Sequence, residues 1–448
     1  MIRTPWMSSS YKKLEGLHIL YRQVEGIDFV VLINPEIGSW CVFTQEDYSR
    51  YKDGNLTEVE WETLYVRGLA ADDEGETIET DFPLPADIPS VVVVNIATMC
   101  NLRCKYCFAD CSDEKGDLMQ EDVMQSLISQ MLSLPVPLVT FEFQGGEALC
   151  NVEGMTKFIE LSEKINKKHN KILRYRTVTN ATLITDEFIQ LVKNFDIKVG
   201  ISIDGPRDCT NKVRVDAHDN GVFDTIMSGV KKMRDNGIEV DGAVCTIGQH
   251  NVHCPKEIVD FFAENNIEFK PRPVNILGRE LFSNLTTKPG EWFNAYKEMY
   301  YRSKEKSINN ASIHIYEENT YGPIRDYVCL RYPCGAAREI ISVNPNGDVF
   351  PCDGFKGEEK FKIGNILEET IADIIKKDSV CKLKNRTAKD IKKCSTCTFR
   401  AMCCSCCYSA FGKFGTIYRE DPHCADRRLI FLFLIDEWIK NNIINNSK

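Results

Sequence analysis

The sequence predicts an α/β fold built around a parallel sheet, and three observations support this prediction. Apolar, strand-like runs alternate with helical patterns from residue 91 to about residue 305. Six strand–helix units follow one another, which is the order that produces a parallel sheet with right-handed crossovers. Polar or glycine-containing segments follow several of these strands, at the strand ends where parallel sheets place their chemistry.

The predicted strands are short and apolar, as expected for strands buried on both faces. Val91–Val94 is a run of four valines, and the six candidate strands are 91–98, 138–146, 173–180, 198–204, 239–247 and 269–276. Helical periodicity falls between them, over 121–132, 155–168, 186–194, 223–235 and 255–264.

A separate α+β domain is predicted for residues 1–88. Two strands, 17–21 and 28–33, precede two short helices that begin near Thr44 and Val59. An acidic segment with two prolines, 71–85, then has the composition of a linker.

Composition restricts the function. The 448 residues include 55 basic and 65 acidic side chains, a net charge of −10 that argues against a nucleic-acid partner. The longest apolar run, 429–435, is far shorter than a membrane-spanning helix, so no membrane partner is expected. The first residues have no signal-peptide pattern, which predicts a cytoplasmic protein. In a reducing compartment, the 20 cysteines are expected to bind metal or to catalyse.

Three cysteines stand close together just after the first predicted strand. Cys100, Cys104 and Cys107 are separated by three and then two residues. Soft thiolate ligands favour zinc or iron–sulfur clusters, and structural zinc normally takes four ligands. A local set of three therefore favours a [4Fe–4S] cluster with one open iron.

This cysteine loop, with Tyr106 just before the third cysteine, resembles that of the radical S-adenosylmethionine (radical SAM) enzymes. The resemblance implies a partial (β/α)6 TIM-like barrel, which we expect over residues 89–310. It also implies the reaction: the reduced cluster passes an electron to S-adenosylmethionine, and the resulting 5′-deoxyadenosyl radical abstracts a hydrogen atom from the substrate.

The same resemblance implies a set of S-adenosylmethionine contacts. The glycine pair would approach the methionine moiety, the following glutamate would meet its ammonium group, and an arginine would meet its carboxylate. The matching positions lie at successive strand ends: Tyr106, Gly145, Gly146, Glu147, Asn180, Ser202, Asp204 and Arg214.

A second group of cysteines occupies the C-terminal third. Cys334 is followed by twelve residues, then by Gly347, four residues and Cys352. The ten-residue segment 341–350 is predicted to be a hairpin with an Asn-Gly turn. The further candidate ligands are Cys329, Cys394, Cys397, Cys403, Cys407 and Cys424.

This spacing resembles the twin-cluster SPASM extension, which we expect over residues 311–448. The resemblance implies two auxiliary [4Fe–4S] clusters, an inner one on Cys329, Cys334, Cys352 and Cys407 and an outer one on Cys394, Cys397, Cys403 and Cys424. Cys404 and Cys406 are left over, so Cys403 and Cys404 remain alternatives. A zinc ribbon would explain Cys394, Cys397, Cys403 and Cys407 alone, but not the other four.

Residues 1–88 resemble the winged-helix-like module that captures leader peptides in many peptide-modifying enzymes, often by adding a strand to a sheet edge. The expected function is therefore a radical SAM/SPASM maturase that oxidatively modifies a ribosomally made peptide, forming a thioether or carbon–carbon crosslink. Its partners would be a precursor peptide with its leader and an electron donor such as flavodoxin or ferredoxin.

Two alternatives are weighed against this function. An anaerobic sulfatase-maturing enzyme, which forms formylglycine, fits Gln144–Glu147 and Asp353, an aspartate that resembles a proton acceptor in some relatives but could equally cap a hairpin. A non-catalytic zinc scaffold would not need Gly145, Gly146 and Glu147.

Several other cysteines and histidines are predicted to be structural. Cys245, His250, His253 and Cys254 match no familiar zinc spacing. The isolated thiols Cys111, Cys150, Cys209 and Cys381 are expected to be buried or incidental.

Overall fold

Six parallel strands form the centre of the molecule. The computed structural model describes residues 11–77, 87–111, 116–321, 329, 334–403 and 405–447. Each central strand pairs in parallel with the next one in the chain, which confirms the predicted α/β architecture. The strands are β6 (Val91–Ala97), β7 (Leu138–Gly145), β8 (Ile172–Thr179), β9 (Lys198–Ser202), β10 (Ala243–Ile247) and β11 (Phe269–Pro273).

Strands β9 and β11 end two and three residues before their predicted ends. The strand starts agree with the sequence prediction to within one residue except at one strand, β10. Its predicted start was residue 239, whereas the strand begins at Ala243. Gly242 has a φ of +94°, a left-handed conformation that a regular strand does not contain. The chain therefore turns at Gly242 before it joins the sheet.

Helices connect the central strands and cover the outside of the sheet. Thr185, for example, caps the helix that follows β8 by accepting a hydrogen bond from the Phe188 amide. The helices of this region are α3 (Glu121–Ser133), α4 (Val152–Asn166), α5 (Asp186–Phe195), α6 (Arg207–Asn211), α7 (Phe223–Asp235), α8 (Pro255–Glu264), α9 (Glu280–Ser283), α10 (Glu291–Lys306) and α11 (Ala311–Tyr321).

Alternation along the strands separates an apolar outer layer from a polar lumen. Val92 and Val94 on β6, with Phe141 and Phe143 on β7, are fully buried between sheet and helices. The alternate positions face the lumen and are only half-buried; they include Glu142, Gln144, Ser202, Thr246, Lys270 and Arg272. The lumen can therefore receive a polar substrate.

The C-terminal region continues the same sheet. Strand β12 pairs in parallel with β6, and two further strands add antiparallel to it, giving nine strands in all. The predicted hairpin is present, with Gly347 at a φ of +88° in its turn. The elements are β12 (Ile340–Val343), β13 (Asp348–Phe350), β14 (Gly364–Asn365), α12 (Ile371–Ile374), α13 (Asp378–Lys384), α14 (Cys407–Phe414) and α15 (Cys424–Ile439).

The N-terminal region folds into a three-stranded antiparallel sheet, two helices and a small two-stranded ladder. Its elements are β1 (Lys12–Lys13), β2 (His18–Val24), β3 (Ile27–Ile33), β4 (Trp40–Thr44), α1 (Gln45–Asp53), α2 (Glu58–Val66) and β5 (Ala70–Ala71). Both predicted strands and both predicted helices are present, and the third strand of the sheet, β4, was not predicted. The winged-helix assignment and the domain boundaries stay predictions, and part of the predicted linker, 78–86, lies outside the described residues.

The N-terminal sheet packs tightly onto the C-terminal helix. One face of β3, with Val30 and Leu32, packs against α1 and α2, whereas the other face joins the central core. Arg22 donates to Asp436 at 2.8 Å, and the Trp40 ring lies 5.2 Å from that of Trp438. Within the described residues, no helix has the length and apolar character needed to cross a membrane.

Candidate active site

The loop with the three closely spaced cysteines lies at the carboxyl end of β6. It is held by backbone hydrogen bonds from Arg103 to Val215 (2.7 Å) and from Lys105 to Val213 (2.9 Å). Burial, with a smaller contribution from the neighbouring Cys107 thiolate, raises the pKa of Cys104 to about 11, although Arg214 lowers it. The thiols therefore share one pocket, where a bound cation would be needed to keep them all ionised.

No three His, Cys, Asp or Glu side chains in the described part of the chain converge tightly enough to hold a single metal ion. Cysteines that do not converge on a single point are compatible with a [4Fe–4S] cluster, because each thiolate of the cube binds its own iron.

A glycine pair at the end of β7 lies directly against the cysteine loop. The Gly146 amide donates to the Ala97 carbonyl at 3.0 Å, and the Glu147 amide donates to the Met99 carbonyl at 2.9 Å. A Cβ atom on Gly145 would lie 1.8 Å from the Ala97 oxygen. Only glycine fits here, so the two loops can approach as closely as the sequence analysis expected.

The carboxylate of Glu147 is buried and held by three donors. Its oxygens accept from the Thr179 hydroxyl at 2.6 Å, the Asn180 amide at 2.7 Å and the Leu149 amide at 3.1 Å. Burial raises the pKa of Glu147 even though these hydrogen bonds lower it. The structure thus brings Asn180 and Glu147 together and holds the Glu147 carboxylate in a fixed position.

A second buried carboxylate, Asp204, binds two other predicted site residues. Its oxygens accept from the Tyr106 hydroxyl at 2.5 Å and from Arg214 Nε at 3.0 Å. Burial opposes the charge of Arg214, but the ionised Asp204 outweighs this effect and raises the arginine pKa. Asp204 therefore anchors Arg214 and Tyr106, a role that the sequence analysis did not foresee.

The surroundings of Asp204 fit a bound ligand. The ring of His250 stacks 5.8 Å from that of Tyr106, and its Nε2 lies 3.9 Å from Asp204. Neither ring nitrogen of this buried histidine makes a well-formed hydrogen bond to any residue that the structure describes. An unsatisfied buried polar group is costly, and an aromatic, polar ligand beside Tyr106 would satisfy it.

Ser202 is not among the hydrogen-bond partners that the structure gives for Glu147 and Asp204. It is half-buried at the last position of β9, on the lumen face, opposite Val244. Strand β9 ends at Ser202, before Asp204 is reached. The expectation that Ser202 and Asp204 point to the same face of one strand therefore has no regular strand behind it.

The inner cysteine group gathers at the start of α14. Contact with Cys407 and burial raise the pKa of Cys334, and burial with the nearby thiolates of Cys334, Cys406 and Cys329 raises that of Cys352. Five thiols thus surround a site that needs four ligands. Cys406, left over in the sequence analysis, lies next to the inner group, and Cys404 lies outside the described residues.

The outer group lies at the start of α15. Burial raises the pKa of Cys394 to about 12, with further contributions from the thiolates of Cys403, Cys424 and Cys397. Cys424 begins a 16-residue helix, whose N-terminus favours negative charge. The four predicted outer ligands are therefore close together.

A buried lysine links the inner group to the glycine pair. Lys356 Nζ lies 2.8 Å from Asp353 Oδ1 and donates to the Gly145 carbonyl at 2.9 Å. Sequence reasoning missed this residue, and it also missed His250 as a neighbour of Tyr106. The only available signal for Lys356 was its position four residues after Cys352, which is weak because lysines are common in loops.

Two family models match the chain. Residues 94–262 match the radical SAM superfamily, and residues 334–398 match an iron–sulfur cluster-binding domain, SPASM. The chain is 26% identical over 319 residues to the serine-type anaerobic sulfatase-maturating enzyme of Bacteroides thetaiotaomicron, covering 64% of this chain and 74% of the relative. It is 26% identical over 340 residues to the cysteine-type enzyme of Clostridium novyi, covering 71% and 87%.

Solved structures share the fold. Native anSMEcpe with bound AdoMet has a TM-score of 0.69 at 21% identity, covering 79% of this chain and 99% of that one. Streptococcus suis SuiB bound to its precursor peptide SuiA has a TM-score of 0.55 at 15% identity, covering 92% and 99%. The chain thus matches a radical SAM domain and then a SPASM domain, and strands of both lie in one continuous sheet. The chain is therefore a radical SAM/SPASM enzyme.

Proposed function

We propose that this enzyme oxidatively modifies a ribosomally made peptide, forming a thioether or carbon–carbon crosslink, and that its N-terminal sheet captures the leader of that peptide. The observation that carries the proposal is an edge strand of this sheet, β2, that exposes the apolar side chains of Ile19 and Tyr21. The fold of SuiB, whose structure contains a precursor peptide, covers 92% of the chain, whereas that of anSMEcpe covers 79%. The difference supports an N-terminal region that serves a longer peptide substrate.

Three [4Fe–4S] clusters and S-adenosylmethionine would supply the radical chemistry when bound, the first cluster on Cys100, Cys104 and Cys107. In this proposal Glu147 and Arg214 bind the charged ends of methionine, and Tyr106 supports Arg214 through Asp204. Asp353, at the edge of the inner cysteine group, accepts a proton from the substrate.

The edge strand has the features of a strand-addition site. In the described residues β2 pairs with β3 alone, so no other strand occupies its outer backbone edge. Ile19 is 43% exposed and Tyr21 is 68% exposed on this edge. Folded proteins usually protect such an edge with charges or bulges. A seven-residue edge strand that exposes two apolar side chains fits a bound extended peptide.

The opposite side of β2 connects this edge to the catalytic part of the molecule. His18 Nδ1 lies 2.9 Å from the Thr398 hydroxyl, next to the outer cysteine group. On the exposed side, the Tyr21 ring packs edge-to-face against Tyr48 of α1, with centroids 6.4 Å apart. A leader that lies between β2 and α1 would therefore direct the rest of the peptide along the cluster domain.

The experiment is a leader-binding titration with the full-length protein. Tyr21→Lys should weaken binding of the candidate leader, encoded beside this gene, by about tenfold or more, because it places a charge in the apolar edge. Val59→Lys on α2, whose parent side chain is 70% exposed, is the matched control. Equal affinity in both variants, or no leader binding by the parent protein, would overturn leader capture.

Sulfatase maturation is the second candidate, favoured by the identity to the two sulfatase-maturating enzymes. That reaction oxidises one Cys or Ser of its substrate to formylglycine. Incubation with an 18-residue sulfatase peptide and with the leader-bearing precursor separates the two functions. Formylglycine in the first peptide, at a rate unaffected by Tyr21→Lys, would establish sulfatase maturation instead.

A further inference from the structure

Two cysteines outside all three cluster groups meet beside Asp204. The sulfur atoms of Cys209 and Cys254 are 3.1 Å apart, although 45 positions separate them in sequence. Cys209 lies on α6 and is 5% exposed, whereas Cys254 is half-buried at the start of α8. The sequence analysis predicted Cys209 to be buried or incidental and Cys254 to be structural, because only the fold brings them together.

The pair joins the two segments that hold the Asp204 backbone. On one side, the Thr210 hydroxyl, next to Cys209, accepts from the Asp204 amide at 3.2 Å. On the other side, Asn251 Nδ2 donates to the Asp204 carbonyl at 3.1 Å, and Cys254 Sγ lies 3.2 Å from the Asn251 carbonyl. A covalent link between the two sulfurs would therefore close a ring around Asp204.

The two thiols are not equivalent. A hydrogen bond from the Cys209 thiol lowers the pKa of Cys254, and the same contact raises the pKa of Cys209. Cys254 is also the more exposed of the two. Accessible thiols with thiolate character are the ones that peroxides attack.

We propose that Cys209 and Cys254 form a reversible disulfide when the enzyme meets a hydroperoxide, and that this disulfide keeps the Asp204 site folded while the clusters are lost. Hydrogen peroxide oxidises the Cys254 thiolate to a sulfenic acid, releasing hydroxide. The Cys209 thiol then attacks that sulfur, forming the disulfide and releasing water. The pair loses two electrons in total, and a thiol reductant restores both cysteines.

Little movement is needed for this reaction. A disulfide has an S–S bond of about 2.05 Å, so the sulfurs must approach by roughly 1 Å from their present separation. The link would close a loop of 45 residues that contains Arg214, and such a loop restricts the unfolded chain.

The test uses the full-length, cluster-loaded enzyme. The protein is treated with hydrogen peroxide without air, its free thiols are alkylated, and its peptides are mapped by mass spectrometry. The parent should give at least tenfold more Cys209–Cys254 crosslinked peptide than the untreated sample, and dithiothreitol should remove it. Full alkylation of both cysteines after treatment would overturn the proposal, even if the cluster cysteines become oxidised.

Variants assign the order of events. In Cys209→Ser the sulfenic acid on Cys254 has no partner and should be trapped by dimedone, whereas in Cys254→Ser the Cys209 thiol should stay reduced. Cys245→Ser, which removes a fully buried thiol nearby, is the control and should crosslink like the parent. Dimedone on Cys209 instead of Cys254 would contradict the assigned attack.

The stabilising role has its own measurement. After peroxide treatment has removed the clusters, the crosslinked parent should melt several degrees above the same sample reduced with dithiothreitol, and Cys209→Ala should show no such difference. Equal melting temperatures of the two parent samples would overturn the role in keeping the site folded, whether or not the peptide function holds.

Discussion

The two buried carboxylates of the site have different partners, and this difference assigns their roles. Asp204 is paired with the guanidinium of Arg214, so its charge is already balanced within the protein. Glu147 is held by the uncharged donors of Thr179, Asn180 and Leu149, so its charge is stabilised only in part. Glu147 is therefore the carboxylate that a cationic group of a ligand would satisfy.

Binding of S-adenosylmethionine should consequently weaken as the pH falls. Burial raises the pKa of Glu147 above its ordinary value, so the ionised form exists above that raised pKa and is lost as the pH falls through it. Dissociation constants measured from about pH 8 to about pH 5 should rise toward acid. In Glu147→Gln, affinity should drop by about 10- to 100-fold and become nearly independent of pH, because one charged hydrogen bond is worth about 1.5–3 kcal/mol. An unchanged pH profile in this variant would exclude Glu147 as the ammonium ligand.

Lys356 should affect how efficiently cleavage of S-adenosylmethionine is coupled to product formation. It bridges Asp353 and the Gly145 carbonyl, so Lys356→Met would release Asp353, the proposed proton acceptor, from the glycine pair at the end of β7. We expect product per cleaved S-adenosylmethionine to fall about tenfold or more, while cleavage without substrate changes by less than about threefold. Lys360→Met, an exposed lysine in the same loop, is the control. If Lys356→Met lowers both quantities equally, the lysine supports the fold rather than the coupling.

At the scale of elements, the turn after β7 sets the distance between the nucleotide site and the cysteine loop. Gly145 has a φ of +132°, and a Cβ atom there would collide with the Ala97 carbonyl. Gly145→Ala should therefore push the two loops apart and yield protein with less than half of the parent's iron and a lower melting temperature. Gly357→Ala, in open space, should behave like the parent. Normal iron content in Gly145→Ala would show that the loop tolerates displacement.

Many of the strands and their ends could be predicted from the sequence, because the residues within each strand and turn determine them. The four valines, Val91–Val94, correctly predicted strand β6, and the glycine pair correctly predicted the end of β7. Few other residue types suit a buried strand or a close approach of two backbones. The partners of Asp204 could not be predicted. Tyr106 and Arg214 reach it from separate loops, and no local pattern encodes such a meeting. The close approach of Cys209 and Cys254 was missed for the same reason.

At the scale of the whole molecule, one sheet connects the two cluster regions. Strand β12 pairs with β6 along Val91–Val94, so the hairpin that carries Cys352 is joined directly to the strand that leads into the first cysteine loop. The N-terminal sheet is also part of this core through β3. Its docking was not predictable, because both faces of β3 are apolar in sequence and nothing local shows which partner each face packs against.

Iron content tests this three-part organisation. The cysteine loop after β6, the inner group and the outer group share no candidate ligand, so each should assemble a cluster independently. The reconstituted parent should hold about twelve irons per chain, and a variant with Cys100, Cys104 and Cys107 all replaced by alanine should keep about eight and lose cleavage of S-adenosylmethionine. Cys381→Ser, which removes a thiol outside the three groups, is the control. A loss of more than about four irons in the triple variant would mean that the auxiliary clusters depend on the first one. Stoichiometric zinc in the parent would refute three clusters altogether.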